Sequence, residues 1–319
     1  MSRFENAPMR RPESTKWPLI ATAGIMAAGA LNHYASEQVY GRNRGTQLIT
    51  LPYNGPQVLA AGIAFPGMGN IGNGGEKMAQ LMSVAVPIQQ PWSHMSYDNL
   101  HELTIESMAK CVSDRKKELG FRYTDGFFSS IGFPIGMAVL LEAKTPLRVI
   151  VIDSSPLKPE HGYGKKVGDI AENIPNLGIA GKFAGVLIAD AIRPGKTKGS
   201  RIVRAAQEAI KGGSQKLFQE QYKLLKQIAM EANKNLYADI INKKHTRVIY
   251  VSPPAGKDNT VRVGEAYIDI KNFFAYFGVE VERVVVPDGN HAETEKTITY
   301  GLASINKAYT DTHHLLVAA

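Results

Sequence analysis

Phe128-Ser129-Ser130-Ile131-Gly132 joins a strand-like run at residues 123–128 to a helix-like run at residues 132–143. A serine on such a tight turn projects above the sheet, and its neighbours must be small because the backbone folds back on itself. The helix N-terminus adds unpaired N–H groups and positive potential, which suit a negative charge developing on an oxygen atom. Ser130 therefore fits a nucleophile, with Gly132 two residues after it.

Two features of this segment leave alternatives open. Phe128 is bulky, whereas glycine or another small residue is usual two positions before such a serine. Ser129 is the alternative nucleophile, but it would put Ile131 rather than a glycine two residues on. The segment alone does not decide between a nucleophilic serine and an ordinary serine-rich turn.

The chain on both sides of this turn alternates between strand-like and helix-like segments. Residues 147–153 (Leu-Arg-Val-Ile-Val-Ile-Asp) are a β-branched run suited to a buried parallel strand, and residues 246–252 and 279–287 repeat that character. Further strands are predicted at residues 48–53, 58–65 and 86–90, and helices at residues 75–84, 98–119, 261–277 and 292–308. Strands that alternate with helices predict an α/β fold with a mostly parallel, doubly wound sheet.

Residues 154–245 interrupt this alternation. They contain no strand-like run, and helices are predicted within them at residues 170–173, 180–192, 200–212 and 215–241. A crossover between parallel strands needs only about a dozen residues, so the segment predicts a helical cap inserted into a core of residues 47–153 and 246–319. Residues 193–247 hold 13 Lys and Arg against 4 Asp and Glu, which suits solvated helix faces, an anionic substrate or a membrane surface.

The composition excludes several other classes of protein. The 319 residues are 44% apolar and 21% charged, with a net charge of +8, which is ordinary for a globular chain with a sizeable core. Cys111 is the single cysteine. A disulfide framework within the chain and a zinc site built from several cysteines are therefore excluded.

Two later loops carry the residues that a serine nucleophile needs. A hydroxyl group needs a base to remove its proton, and that base needs an orienting carboxylate. His291 follows the predicted strand at 279–287, and Asp258 follows the one at 246–252. Loops beyond the carboxyl ends of parallel strands gather at one edge of the sheet. We therefore predict that Asp258 and His291 meet Ser130 there as a catalytic triad.

These motifs resemble those of the α/β-hydrolase superfamily, over about residues 47–310. The matching segments are Phe65-Pro66-Gly67-Met68-Gly69 as oxyanion loop, Ser129-Ser130-Ile131-Gly132 as nucleophile elbow, Gly256-Lys257-Asp258-Asn259 as acid loop and Gly289-Asn290-His291 as histidine loop. Residues 154–245 correspond to the variable cap of that superfamily. Besides Phe128, the chain departs from the pattern at Pro66, where histidine commonly precedes the oxyanion-loop glycine.

The resemblance implies a serine hydrolase that cleaves an ester, thioester or amide bond of a small-molecule or lipid-like acyl substrate. His291 would take the proton of Ser130 and return it to the leaving group, while Asp258 would hold the imidazole tautomer. The backbone N–H groups of Ile131 and of the loop at Gly67 and Met68 would bind the oxyanion. Neither a cofactor nor a metal is implied.

Two other functions compete with this interpretation. The superfamily includes members without catalytic activity, and Phe128 in the elbow keeps a binding or scaffold protein open. Gly67-Met68-Gly69-Asn70-Ile71-Gly72 also matches the glycine pattern of a dinucleotide-binding turn. That turn needs an acidic residue at the end of the following strand, and residues 84–92 contain none. A nicotinamide-dependent oxidoreductase is therefore the weaker hypothesis.

Three further residues and the basic charge were considered for function. Asp153, at the end of the run 147–153, is the alternative acid of the triad. His94 is interpreted as a loop residue that could line the mouth of the site or have no role, and Cys111 as a packed side chain of a helix. No arginine and aromatic pattern typical of a nucleic-acid-binding module is present, so no nucleic-acid partner is expected.

The N-terminus carries a segment typical of membrane targeting. Residues 17–31 contain no charged side chain and follow a polar stretch with Arg3, Arg10, Arg11 and Lys16. A basic flank before an apolar run of this size resembles a secretory signal or an uncleaved signal anchor. A buried helix is the alternative, since a full span needs about 20 apolar residues. We expect membrane association through residues 17–31 with the remainder outside the cytoplasm, and residues 1–46 as anchor and linker.

Overall fold

Seven strands form one sheet in the computed structural model, which describes residues 47–55, 59–67, 73–97, 103–158, 215–258, 260–289, 291 and 293–317. The strands are β1 (Gln47–Thr50), β2 (Ala60–Phe65), β3 (Trp92–Ser96), β4 (Tyr123–Ser129), β5 (Leu147–Asp153), β6 (Arg247–Ser252) and β7 (Val281–Val285). Their order across the sheet is β1-β3-β2-β4-β5-β6-β7. β1 runs antiparallel to β3, and every other neighbouring pair is parallel. The predicted mostly parallel α/β sheet is confirmed.

Helices cover both faces of this sheet. They are α1 (Asn73–Ala85), α2 (Ile105–Leu119), α3 (Gly132–Glu142), α4 (Gln215–Gln227), α5 (Val263–Ala275), α6 (Thr294–Thr312) and α7 (His314–Val317), with a 3₁₀ helix at Lys234–Asp239. Successive side chains of a strand point to opposite faces. Accordingly, Ile150 and Ile152 of β5 belong to an apolar cluster that includes residues of α2, α3, α4 and α5, whereas Val149 and Val151 belong to one that includes residues of α1 and α6. An apolar strand buried on both faces is what the run at 147–153 predicted.

A buried polar network crosses the middle of the sheet. Arg148 on β5 donates from Nε to Asp125 Oδ1 at 2.9 Å and from Nη2 to Gln90 Oε1 at 2.9 Å. Gln90 Nε2 donates to Asp125 Oδ2 at 2.7 Å, and the Arg148 guanidinium lies 5.0 Å from the ring centre of Tyr309 on α6. Arg148 and Asp125 are both fully buried. Each charge is therefore stabilised by the other and by the surrounding hydrogen bonds, because water does not reach them.

The third strand begins later than predicted. Residues 86–88 form bends, and β3 starts at Trp92, after Pro91. β3 carries three polar side chains yet is buried along its length, and Ser93 Oγ and Thr50 Oγ1 share a hydrogen bond of 2.7 Å. The strand predicted at residues 86–90 was therefore wrong, because the true strand is polar and carries no apolar pattern by which to recognise it. His94 is a buried strand residue rather than a loop residue.

Two helices also differ from their predicted bounds. α2 begins at Ile105 because Thr104 caps it, its hydroxyl accepting a hydrogen bond of 3.1 Å from Ser107 N. The single helix predicted at residues 215–241 ends at Gln227. Beyond it the chain docks on the core, where the carbonyl of Ile240 accepts a hydrogen bond of 2.8 Å from the amide of Leu147 at the start of β5. Tertiary contacts thus end a segment whose local sequence favours helix.

Several predictions fall on other parts of the chain. Residues 1–46, with the apolar run at 17–31, lie outside the described residues, as do the predicted helices at 170–173, 180–192 and 200–212. Among the helices that are described, none is both long enough and apolar enough to cross a membrane. The membrane segment and the bounds of the cap therefore stay predictions.

We expect Arg148→Met to destabilise the fold by about 3–5 kcal/mol, because it leaves the carboxylate of Asp125 buried without a counter-charge. Urea unfolding at neutral pH measures this. Lys110→Met is the control, since it removes an exposed ion pair with Asp114 and should hardly change the unfolding midpoint. Equal effects of the two substitutions would contradict a structural role for the buried pair.

Candidate active site

Three side chains from three loops meet at the carboxyl edge of the sheet. Ser130 Oγ lies 2.9 Å from His291 Nε2, and His291 Nδ1 lies 2.9 Å from Asp258 Oδ2. A carboxylate oxygen accepts hydrogen bonds, so the N–H at His291 Nδ1 donates a hydrogen bond to Asp258 Oδ2. Nε2 is then free to accept a hydrogen bond from the Ser130 hydroxyl. The three residues that the sequence selected are thus in the arrangement that proton transfer from Ser130 requires.

Ser130 lies on a strained turn directly after β4. Its φ is 50°, a left-handed backbone conformation that is unfavourable for residues other than glycine. The amide of Ser130 donates to the carbonyl of Asp153 at 2.9 Å, which ties the turn to the end of β5. A Cβ atom at Gly132 would lie 2.2 Å from Phe65 O. Only glycine therefore allows α3 to start so close to β2.

Phe128 is accommodated in the elbow despite its size. Its ring is fully buried and stacks on Phe65, with ring centres 5.4 Å apart. Two glycines leave room for it, since a Cβ atom at Gly126 would lie 2.1 Å from the ring and one at Gly136 would lie 2.5 Å from it. The small residue usual at position 128 is replaced here by small residues at its contacts. The departure from the pattern does not prevent the turn.

Asp258 is held in a fixed orientation after β6. Its Oδ1 atom accepts hydrogen bonds from the amides of Thr260 at 2.7 Å and Val261 at 2.8 Å, while Oδ2 faces His291. The side chain is fully buried. The two amides therefore hold the carboxyl group in the orientation that a partner imidazole needs.

His291 follows β7 and immediately precedes α6, as the sequence predicted. Its side chain is 19% exposed, whereas Ser130 is buried. The residues on either side of it, 290 and 292, are outside the described part of the chain. The imidazole is therefore the member of the three with access from solvent.

Asp153, the alternative acid, lies next to this line of hydrogen bonds but outside it. It ends β5, is fully buried, and bonds to Thr297 on α6. Its Oδ2 atom has no partner among the described residues. Burial raises the pKa of Asp153 to about 6, against the opposing effects of Thr297 and of the His291 charge. His291 thus has its hydrogen bond with Asp258 rather than with Asp153.

Two of the three predicted oxyanion donors, Ile131 and Gly67, lie next to Ser130. Ile131 precedes the first residue of α3, and the first N–H groups of a helix have no acceptor within the helix. Gly67 packs against the serine, since a Cβ atom there would lie 3.1 Å from Ser130 Cβ. Met68 lies outside the described residues. Ile131 thus adjoins Ser130 and Gly67 contacts it, and their role as oxyanion donors stays a prediction.

Other predicted features lie away from this site or outside the described chain. The glycine pattern at 67–72 has its residues 68–72 outside the described ranges, and β3, the next strand, carries no acidic residue. In the part of the chain that is described, no group of three or more His, Cys, Asp or Glu side chains has the arrangement of a metal site.

One contact at the site was missed by sequence reasoning. The hydroxyl of Ser155, two residues beyond β5, donates a hydrogen bond to the carbonyl of Ser130. The sequence Ser154-Ser155-Pro156 carries no motif that distinguishes this serine from any other loop serine. Only the fold brings it to the elbow.

Comparisons with known proteins identify the fold. No protein-family model matches the sequence, and the search of curated proteins gives no significant match. Among solved structures, a carboxylesterase of the thaumarchaeon Nitrososphaera gargenis is 12% identical with a TM-score of 0.51, covering 86% of this chain and 96% of that one. The monoacylglycerol lipase of Paleococcus ferrophilus is 13% identical with a TM-score of 0.50, covering 82% and 99%. MenH from S. aureus is 8% identical with a TM-score of 0.54, covering 84% and 100%. The predicted α/β-hydrolase fold is confirmed.

Asp153 should make stability depend on pH. Its pKa is about 6 in the folded chain and about 3.9 in an unfolded one, so it favours folding when protonated. That contribution is full below pH 4 and is lost as pH rises through 6, by on the order of 3 kcal/mol. We therefore expect Asp153→Asn to be more stable than the parent above pH 6.5, with a smaller difference at pH 4. Urea unfolding across this range tests it, and a difference that does not vary with pH would contradict it.

Proposed function

We propose that this chain, which has the α/β-hydrolase fold, is a serine hydrolase that cleaves a carboxylic ester through an acyl-enzyme. The observation that carries the proposal is the hydrogen-bonded line from Ser130 through His291 to Asp258, with both distances at 2.9 Å. A nucleophile, a base and an orienting carboxylate in this arrangement are what acyl transfer needs.

The first half of the reaction forms the acyl-enzyme. Ser130 Oγ attacks the carbonyl carbon of the ester while its proton passes to His291 Nε2. Asp258 stabilises the imidazolium formed and keeps the ring in the required tautomer. The tetrahedral intermediate then collapses, the bond to the leaving alcohol breaks, and His291 gives its proton to that alcohol.

The second half of the reaction returns the free enzyme. Water replaces the alcohol, His291 Nε2 removes its proton, and the resulting hydroxide attacks the acyl carbon. Collapse of this second tetrahedral intermediate releases the carboxylic acid, and the proton on His291 returns to Ser130 Oγ. No group beyond the three side chains and water is needed for proton balance.

The oxyanion of both intermediates would be bound at the start of α3. The N–H of Ile131 lies at the positive end of the helix dipole, where negative charge is stabilised. A second N–H from the loop at Gly67 and Met68 would complete the pair. Losing one such donor typically costs about 10²–10³ in turnover, so this part of the site would supply much of the rate.

An ester is favoured over a thioester or an amide as the substrate. Two of the similar structures are named for ester hydrolysis, a carboxylesterase and a monoacylglycerol lipase, and the fold itself hosts many reactions. The partner would be a small-molecule or lipid-like acyl ester. The competing scaffold hypothesis was based on Phe128, and the glycines at 126 and 136 remove that objection.

We expect Ser130→Ala to abolish hydrolysis of p-nitrophenyl butyrate and labelling by a fluorophosphonate, because no hydroxyl remains beside His291 Nε2 to act as the nucleophile. Ser129→Ala is the matched control, since Ser129 is its buried neighbour and should keep both properties. Circular dichroism checks that each variant is folded. Labelling that persists in Ser130→Ala, or an unreactive parent chain, would refute the proposal.

The two carboxylates near His291 should differ in their effect on turnover. We expect Asp258→Asn to lower kcat by about 10⁴-fold, because the amide no longer holds the tautomer that accepts the serine proton. Asp153→Asn should change kcat far less, since Asp153 is not the partner of Nδ1. Steady-state kinetics on the same ester compares them, and the opposite ranking would assign the acid to Asp153.

A further inference from the structure

The carbonyl of Ser130 has a side-chain partner that the proposed reaction does not use. Ser155 Oγ donates a hydrogen bond to Ser130 O and makes a longer contact of 3.2 Å with Pro156 O. Ser130 O also accepts from the amide of Phe133 at 3.2 Å. The carbonyl of Ser130 therefore has one side-chain donor and one backbone donor.

This carbonyl belongs to the same peptide group as the Ile131 N–H. A trans peptide is planar, and its C=O and N–H point in opposite directions. Whatever fixes the direction of Ser130 O therefore fixes the direction of the Ile131 N–H. We propose that Ser155 is a positioning residue whose hydroxyl, by holding Ser130 O, aims the Ile131 N–H at the developing oxyanion. This inference rests on the proposed function.

The elbow has reason to need such a contact. Ser130 is in the left-handed region with φ of 50°, where a residue with a side chain is held only if its surroundings impose it. No side chain caps the start of α3, since Ile131 provides none. Among the described residues, Ser155 supplies the only side-chain hydrogen bond to the carbonyl of the elbow.

Ser155 is itself held by the sheet. It is fully buried, and its carbonyl accepts a hydrogen bond of 3.3 Å from the hydroxyl of Tyr250 on β6. The amide of the preceding residue, Ser154, donates to Val251 O at 2.9 Å. The backbone that carries this hydroxyl is thus fixed by two hydrogen bonds with β6. A rigid support of this kind is what preorganisation of an oxyanion site requires.

The test is Ser155→Ala, assayed on p-nitrophenyl butyrate with active sites titrated by a fluorophosphonate. We expect kcat per titrated site to fall about tenfold with KM nearly unchanged, because the oxyanion exists only beyond the ground state. Inhibition by an alkyl trifluoromethyl ketone, whose adduct on Ser130 carries an oxyanion, should weaken by a similar factor. A merely structural defect would lower the titre and leave both constants per site unchanged.

Ser252→Ala is the matched control, because its hydroxyl is also buried at a strand end but has no partner among the described residues. It should keep the parent values. Ser155→Thr retains the hydroxyl and should restore kcat, while Ser155→Cys, a weaker donor of similar size, should lie between alanine and the parent. If the alanine variant does not fold, the cysteine variant decides by the same paired loss of kcat and ketone affinity.

The outcomes separate this inference from the proposed function. A parent chain that is inactive, or active without Ser130, overturns the proposed function. A second outcome is a parent chain that is active through Ser130 while Ser155→Ala or Ser155→Cys keeps the parental kcat and ketone affinity. This outcome overturns only the role of Ser155.

Discussion

The approach of α3 to β2 constrains everything at the carboxyl edge of the sheet. A side chain at residue 132 would collide with the carbonyl of Phe65, so the chain has only Ser130 and Ile131 in which to reverse from strand to helix. Ser130 takes a left-handed conformation as a result. That conformation directs its hydroxyl towards His291, whose Nε2 lies 2.9 Å away, and α3 begins two residues later at Gly132. The position of the Ser130 hydroxyl and the start of α3 thus depend on the same steric restriction.

The remaining groups reach this oxygen because parallel strands end at a common edge. Asp258 follows β6 and His291 follows β7, two strands that are neighbours of each other on one side of β5. Their loops are short and carry internal hydrogen bonds, such as those from Thr260 and Val261 to Asp258. The site therefore depends on backbone geometry more than on long flexible side chains. The same edge also buries Asp153, and this burial raises the pKa of its carboxyl group.

The sequence predicted those parts in which local chemistry agrees with the fold. β5 was predicted because its run of apolar residues is typical of a strand buried on both faces. Ser130, Asp258 and His291 were selected because each lies in a loop after a predicted strand. β3 was missed because Trp-Ser-His-Met-Ser has no apolar pattern. Its Ser93 is buried with a hydrogen bond to Thr50 on the neighbouring strand. The tolerance of Phe128 and the contact of Ser155 were beyond sequence reasoning. Both depend on which residues the fold brings together from distant positions.

The charged pair of Arg148 and Asp125 has a consequence for how the sequence can vary. Neither residue touches the site, yet each makes the other acceptable in a dry interior. Exchanging both for apolar residues of like volume is often tolerated in proteins, whereas the intermediate with one charge left is not. The sequence with both charges and the sequence with neither are then both stable, whereas the intermediate with one charge is not. Relatives of this chain should carry the pair together or lack it together, and stepwise engineering would have to begin from a stabilised background.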